Sequence, residues 1–185
     1  AQLRTLDEAM DRLSKPHFVT ANRIDFLRGA RSQYRRRFSN IVMQGDSWFD
    51  YPGWRRGFWG GPNNLQEALM LTMPRGANWF DSNISMATAR QVSSEALIFR
   101  FASSQHLKLD LYCLSMGGND LFAQLEVMLR PYAKGRSSPS ECFTQDKERI
   151  LLRIKSYYHQ VLMQRDRYMP DVPVLAHCYV SPDQR

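Results

Sequence analysis

Two short segments carry residue types suited to hydrolytic chemistry. Gly45-Asp46-Ser47 follows the apolar run Ile41-Val42-Met43-Gln44 and precedes Trp48-Phe49-Asp50, and Gly117-Gly118-Asn119-Asp120 follows the run from Leu109 to Met116. A serine hydroxyl is a weak nucleophile at neutral pH. It needs a base within hydrogen-bond reach and donors aimed at the oxyanion that forms on attack. On this reading Ser47, shown off by a tight turn, is the nucleophile and the Asn119 side-chain NH2 is an oxyanion donor. Backbone N–H groups of Ser47, of a loop at 85–88 and of Gly117 would complete the hole, since tight or glycine-rich turns let backbone approach a substrate closely. The structural alternative is that Asp, Ser and Gly merely build turns at strand ends, with Asp46 and Asp120 accepting from turn N–H groups. A catalytic pair of carboxylates is the weaker reading, because neither segment resembles a glycosidase arrangement.

The elements around these segments must bring them to one place. Apolar strand-like runs near 40–44, 78–84, 109–116 and Val172–His177 alternate with helical patterns near 64–73, 87–102 and 144–168. The stripe Ile150, Ile154, Tyr157, Val161, Leu162 gives the last helix a core-facing side. Such alternation predicts an α/β fold with a mainly parallel sheet covered on both faces, whose sites lie beyond the carboxyl ends of the strands. Three loops then share one edge: Gly45–Asp50, Ser85–Thr88 and Gly117–Asp120. Ahead of them, Leu3, Leu6, Met10 and Leu13, with Thr5 and Glu8 as a capping box, predict a helix near 5–14, and a second covers 21–37. Residues 1–38 therefore read as an N-terminal helical extension and 39–185 as the α/β domain.

The base is harder to find. Of the four histidines, His17 lies in the extension, His106 precedes the strongest strand at the wrong end, and His159 belongs to a long helix. His177 alone falls at the correct strand end, as a structural or substrate-facing residue or as the base.

Gly45-Asp46-Ser47 and Gly117-Gly118-Asn119-Asp120, in this order and at strand ends, resemble the first and third blocks of the SGNH (GDSL-like) serine hydrolase superfamily. The longer strings GDSWFDYP and GGNDLF are similar to a bacterial branch of it, and the resemblance covers about residues 40–185. It implies a three-layer α/β/α, flavodoxin-like fold and hydrolysis of an ester through a seryl intermediate, with no metal or organic cofactor. Ser47 and Asn119 take the nucleophile and oxyanion roles by position. The family's second block supplies a glycine whose N–H enters the oxyanion hole, whereas Asn83–Arg90 contains none, and the resemblance puts Ser85 or Ala87 at that position. The closing Asp-x-x-His block is not found, so the domain is expected to be C-terminally incomplete and to lack its last strand.

Composition bounds the rest. The chain has 185 residues, 43% of them apolar and 23% charged, a globular balance for one domain. Three widely spaced cysteines, Cys113, Cys142 and Cys178, suggest neither a disulfide framework nor a zinc site. The net charge of +7 concentrates in Arg23, Arg28, Arg31, Arg35, Arg36 and Arg37. That cluster is a solvated helix face, or else a surface for an anionic partner in a catalytically inactive, binding version of the domain; no nucleic-acid signature accompanies it. No run is long enough for a transmembrane helix. A soluble protein is expected, cytoplasmic or exported after processing, acting on a small-molecule, lipid or acylated-sugar ester. Gly57–Pro62 lacks the Lys-Ser/Thr of a phosphate loop, and Trp54, Phe58 and Trp59 suit an apolar rim instead.

Overall fold

The computed structural model describes residues 18–20, 23–32, 38–46, 65–72, 76–84, 86–94, 96–131 and 138–177. Outside them lie the expected helix near 5–14, Ser47 with Trp48 and Phe49, the aromatic loop Tyr51–Pro62, Ser85, Arg35, Arg36, Arg37, His17 and Cys178.

Five parallel strands form one sheet: β1 (Phe18–Thr20), β2 (Ser39–Gly45), β3 (Ala77–Asp81), β4 (Leu111–Ser115) and β5 (Val174–His177), in the order β1-β3-β2-β4-β5. The helices are α1 (Arg23–Arg31), α2 (Leu65–Thr72), α3 (Ala89–Ser94), α4 (Ile98–Ser104), α5 (Gly118–Phe122), α6 (Leu125–Met128) and α7 (Asp146–Tyr168). The expected α/β fold with a parallel sheet is what is observed. Parallel pairing buries both faces of a strand, and β2 accordingly reads as a continuous buried run from Asn40 to Gly45.

Side-chain alternation along the strands sorts the interior into two layers. Val42, Phe80, Tyr112 and Leu114 pack with Phe26 of α1, Val92 of α3, Phe99 of α4 and Ile150, Ile154 and Val161 of α7. Ile41, Met43, Trp79 and Cys113 face the other way, against Leu65, Leu69 and Met70 of α2. Trp79 and Tyr112 are fully buried, each contributing on the order of 2 kcal/mol through the water it leaves. The sheet is thus covered on both sides, three layers in all.

Two expectations need revising. Residues 1–38, expected as a helical extension with helices near 5–14 and 21–37, also contain a strand, since Phe18, Val19 and Thr20 pair with Asn78, Trp79 and Phe80 at the sheet edge, while α1 falls within the second expected helix. Phe26 and Ala30 of α1 are buried in the main core, and the Phe26 and Phe80 rings lie 5.5 Å apart. A three-residue edge strand is too short to show a period. The single helix expected at 87–102 is two, because Ala96 N–H donates to Ser93 O (3.3 Å) and Phe99 N–H to Ala96 O (3.4 Å), short-range turn bonds that interrupt the helical ladder. The expected long helix is intact over Asp146–Tyr168, with Asp146 and Glu148 in its first turn and Arg165 and Arg167 in its last, the signs its dipole favours.

Candidate active site

Strand order reverses around β2: β3, the next strand in the chain, lies on one side of it and β4 on the other. In open α/β sheets the crevice beyond the carboxyl ends at such a reversal is where ligands bind. The Asp46 turn, the 84–88 turn, Gly117–Asp120 and His177 all follow or end strands at this edge.

They are held together by named hydrogen bonds. Asp46 N–H donates to Ser115 O (3.1 Å), and Ile84 N–H to Gly45 O (2.9 Å), so both neighbouring strand ends clamp the exit of β2. Asn119 Nδ2 donates to Ala87 O (2.9 Å), and Ala89 N–H donates to Asp120 Oδ2 (2.6 Å). Asp120 therefore caps α3 from the neighbouring loop, an acid at a helix N-terminus. Thr88 and Gln91 reinforce the same start: Thr88 N–H donates to Gln91 Oε1 (2.8 Å) and Gln91 N–H to Thr88 Oγ1 (3.4 Å), the reciprocal pattern of a capping box.

Each loop has its own backbone requirement. Gly117 adopts φ +103°, and a Cβ there would meet Ile154 Cγ2 at 2.8 Å. Met86 is exposed with φ +65°, in a turn closed by Ala87 N–H to Ile84 O (3.0 Å). That is the third position of a four-residue turn, where positive φ favours glycine. The absence of glycine from Asn83–Arg90 is thus met by a methionine in the left-handed region. Ala87 does not suit the donor role expected of it, because its N–H is committed to Ile84 O and its C=O to Asn119.

The interior polar residues of this edge were not singled out from sequence. Ser115, fully buried, donates from Oγ to Asp46 Oδ1 (3.0 Å), and its Oγ lies 3.4 Å from His177 Nδ1. The Tyr158 hydroxyl of α7 donates to Met116 O (2.9 Å), with His177 O a longer, second acceptor at 3.3 Å. Below them, Tyr112 Oη donates to Gln44 Oε1, and Gln44 Nε2 donates to Val92 O (2.5 Å), pinning α3 to the sheet. Burial pushes the Tyr112 phenol well above its ordinary range and the Cys113 thiol up to about 12, so both stay neutral. The signal available in the sequence was a serine and a glutamine at the carboxyl ends of otherwise apolar strands.

His106 and His159 stand elsewhere. A cavity of about 430 Å³ lies at the opposite, amino ends of β4 and β5, lined by His106, Lys108, Tyr168 and Asp171 among others. Among the described residues no group of three His, Cys, Asp or Glu side chains is placed to hold a metal ion, and no helix is long and apolar enough to cross a membrane. The arginines of α1 are partly engaged within the fold: Arg23 lies 4.8 Å over the Phe101 ring, Arg31 Nη2 donates to Gln105 O (2.8 Å), and Arg28 sits 3.8 Å from Asp25.

No protein-family model matches the chain, and no curated protein matches it. Among solved structures it is similar to AlinE4, an SGNH-hydrolase family esterase, at 19% identity and a TM-score of 0.45, covering 79% of this chain and 62% of that one. Two single-residue variants of AlinE4 are similar at 18% and 19% identity, with TM-scores of 0.46 and 0.45. The chain thus spans 62% of the length of the esterase it is similar to.

Proposed function

We propose that this chain is a carboxylic-ester hydrolase of the SGNH type, with Ser47 as nucleophile and Asn119 as an oxyanion donor. The observation that supports it is the hydrogen-bonded convergence of the Asp46 turn, the 84–88 turn and Gly117–Asp120 at the carboxyl ends of β2, β3 and β4. Ser47 directly follows Asp46 in the sequence. In the reaction its Oγ bonds to the ester carbonyl carbon while its proton passes to a base, and the carbonyl oxygen becomes an oxyanion. Collapse expels the alcohol, which takes the proton, and water then hydrolyses the seryl ester by the same steps.

One N–H of the Asn119 carboxamide is held by Ala87 O, and the same NH2 carries a second. With the Ala87 N–H committed to Ile84 O, Ser85 remains the loop donor named from the sequence and the Met86 N–H is a second candidate. Of the described histidines, His177 is the one at this edge, and it is the candidate base. Esters of acyl chains, acetylated sugars and phospholipids all suit a serine with an asparagine.

Incubation with a fluorophosphonate probe tests the reading, because labelling requires an activated hydroxyl. The full chain should label at Ser47, and Ser47→Ala should lose both label and ester hydrolysis. Hydrolysis persisting at the wild-type rate in Ser47→Ala would rule the mechanism out.

A further inference from the structure

The Ser115 hydroxyl sits between two functional groups of the candidate site, and its single proton can go to only one of them. Asp46 is 1% exposed and Ser115 0%, so solvent does not supply alternative partners to the bond between them. A carboxylate only accepts, whereas a hydroxyl has one proton to give and lone pairs to receive. The proton of Ser115 therefore points to Asp46 Oδ1, 3.0 Å away. Towards His177 Nδ1, at a longer 3.4 Å, Ser115 Oγ is left as an acceptor. Nδ1 must then carry the hydrogen.

We infer that Ser115 is a positioning residue that fixes the neutral His177 ring as its Nδ1–H tautomer while holding the Asp46 carboxylate. The partner of one ring nitrogen decides which nitrogen is protonated. Free neutral histidine prefers the proton on Nε2, and Ser115 reverses that preference, leaving the Nε2 lone pair as the basic site. The same residue acts on the β2 exit twice, through its backbone, whose C=O accepts from Asp46 N–H (3.1 Å), and through its side chain. The turn leading to Ser47 and the orientation of His177 are in this way referred to one buried atom pair on β4. The Tyr158 hydroxyl, bonded to Met116 O at 2.9 Å, also lies 3.3 Å from the His177 C=O.

The tautomer stands independently of any chemistry, whereas the consequence for turnover rests on the ester-hydrolase reading. Long-range ¹H–¹⁵N spectra of the ¹⁵N-labelled full chain, recorded near pH 8 where an ordinary histidine is neutral, report the protonated ring nitrogen directly. The His177 pattern is identified by its loss in His177→Gln. The expected result is Nδ1–H in the wild type and Nε2–H in Ser115→Ala. Ester hydrolysis by Ser115→Ala should fall roughly tenfold or more in kcat with little change in KM, as expected when a reacting group is misplaced rather than binding lost. An Nε2–H pattern in the wild type overturns the inference even if Ser115→Ala does not fold, and so does a pattern that Ser115→Ala leaves unchanged. Failure of Ser47 to label with fluorophosphonate counts against the hydrolase reading alone, since the tautomer is read on the resting protein.

Discussion

Replacing Gly117 with alanine tests the way the third loop is built. At φ +103° and ψ −16° the residue lies where a Cβ crowds its own backbone, costing about 1–2 kcal/mol. The added methyl would also meet Ile154 Cγ2 at 2.8 Å and Ile154 Cδ1 at 3.7 Å. The first contact is with a branched methyl on a buried residue of α7, so either the helix or the loop must shift, for about 1–3 kcal/mol more. The sum is roughly 3 kcal/mol, which for a chain of this size lowers Tm by roughly 6–12 °C. The two causes separate in a double-mutant cycle read by urea denaturation. Ile154→Leu removes Cγ2 and should recover the overlap but not the backbone strain, giving a coupling of about 1–3 kcal/mol. Ile154→Val keeps both γ carbons and should recover little. A loss below about 0.5 kcal/mol for Gly117→Ala, or strict additivity with Ile154→Leu, would refute this account of the loop.

On the proposed ester-hydrolase reading, Asn119→Ala should lower ester turnover by ~10² to 10³, the usual cost of one oxyanion donor, in steady-state assays on the folded protein. Asp120→Ala removes the acceptor for Ala89 N–H and should cost about 1–2 kcal/mol in urea denaturation, with Asp120→Asn recovering most of it. Exposed Cys142 should react with thiol reagents in the native protein while buried Cys113 does not. Because the Cys113 thiol is pushed up to about 12, the unfolded chain ionises first. Stability is then fully present below the ordinary cysteine range and falls as pH rises towards 12, which urea midpoints measured across alkaline pH would show.

Much of the sheet was legible because strands buried on both faces need long apolar runs. Ile41–Val42–Met43 and Leu111–Tyr112–Cys113–Leu114 are such runs, and they form the centre of the sheet. The 3.6-residue stripe of Ile150, Ile154 and Val161 likewise marks the buried side of α7. What stayed hidden depends on distant partners. Phe18–Thr20 is a strand only because Asn78–Phe80 offers an open edge, and no local pattern announces that. The glycine motifs located the strand exits, since a position such as Gly117 tolerates no side chain. Their cross-connections were invisible: nothing near Ala87 indicates that its carbonyl receives Asn119, or near Ser115 that it meets Asp46 and His177. Hydrogen bonds between side chains on different strands leave no periodic trace, so Ser115 read as one more core position.

Ser115 is 69 residues from Asp46 along the chain and 62 from His177. Contacts of such separation form late, after the intervening crossovers have closed. Nothing resembling the site can exist in a nascent or excised piece carrying β2 alone, and partial melting of either flank dismantles it as a unit. Hydrogen-exchange protection of the Asp46 amide should then be lost together with that of β4, making assembly of this edge a readout of completed folding.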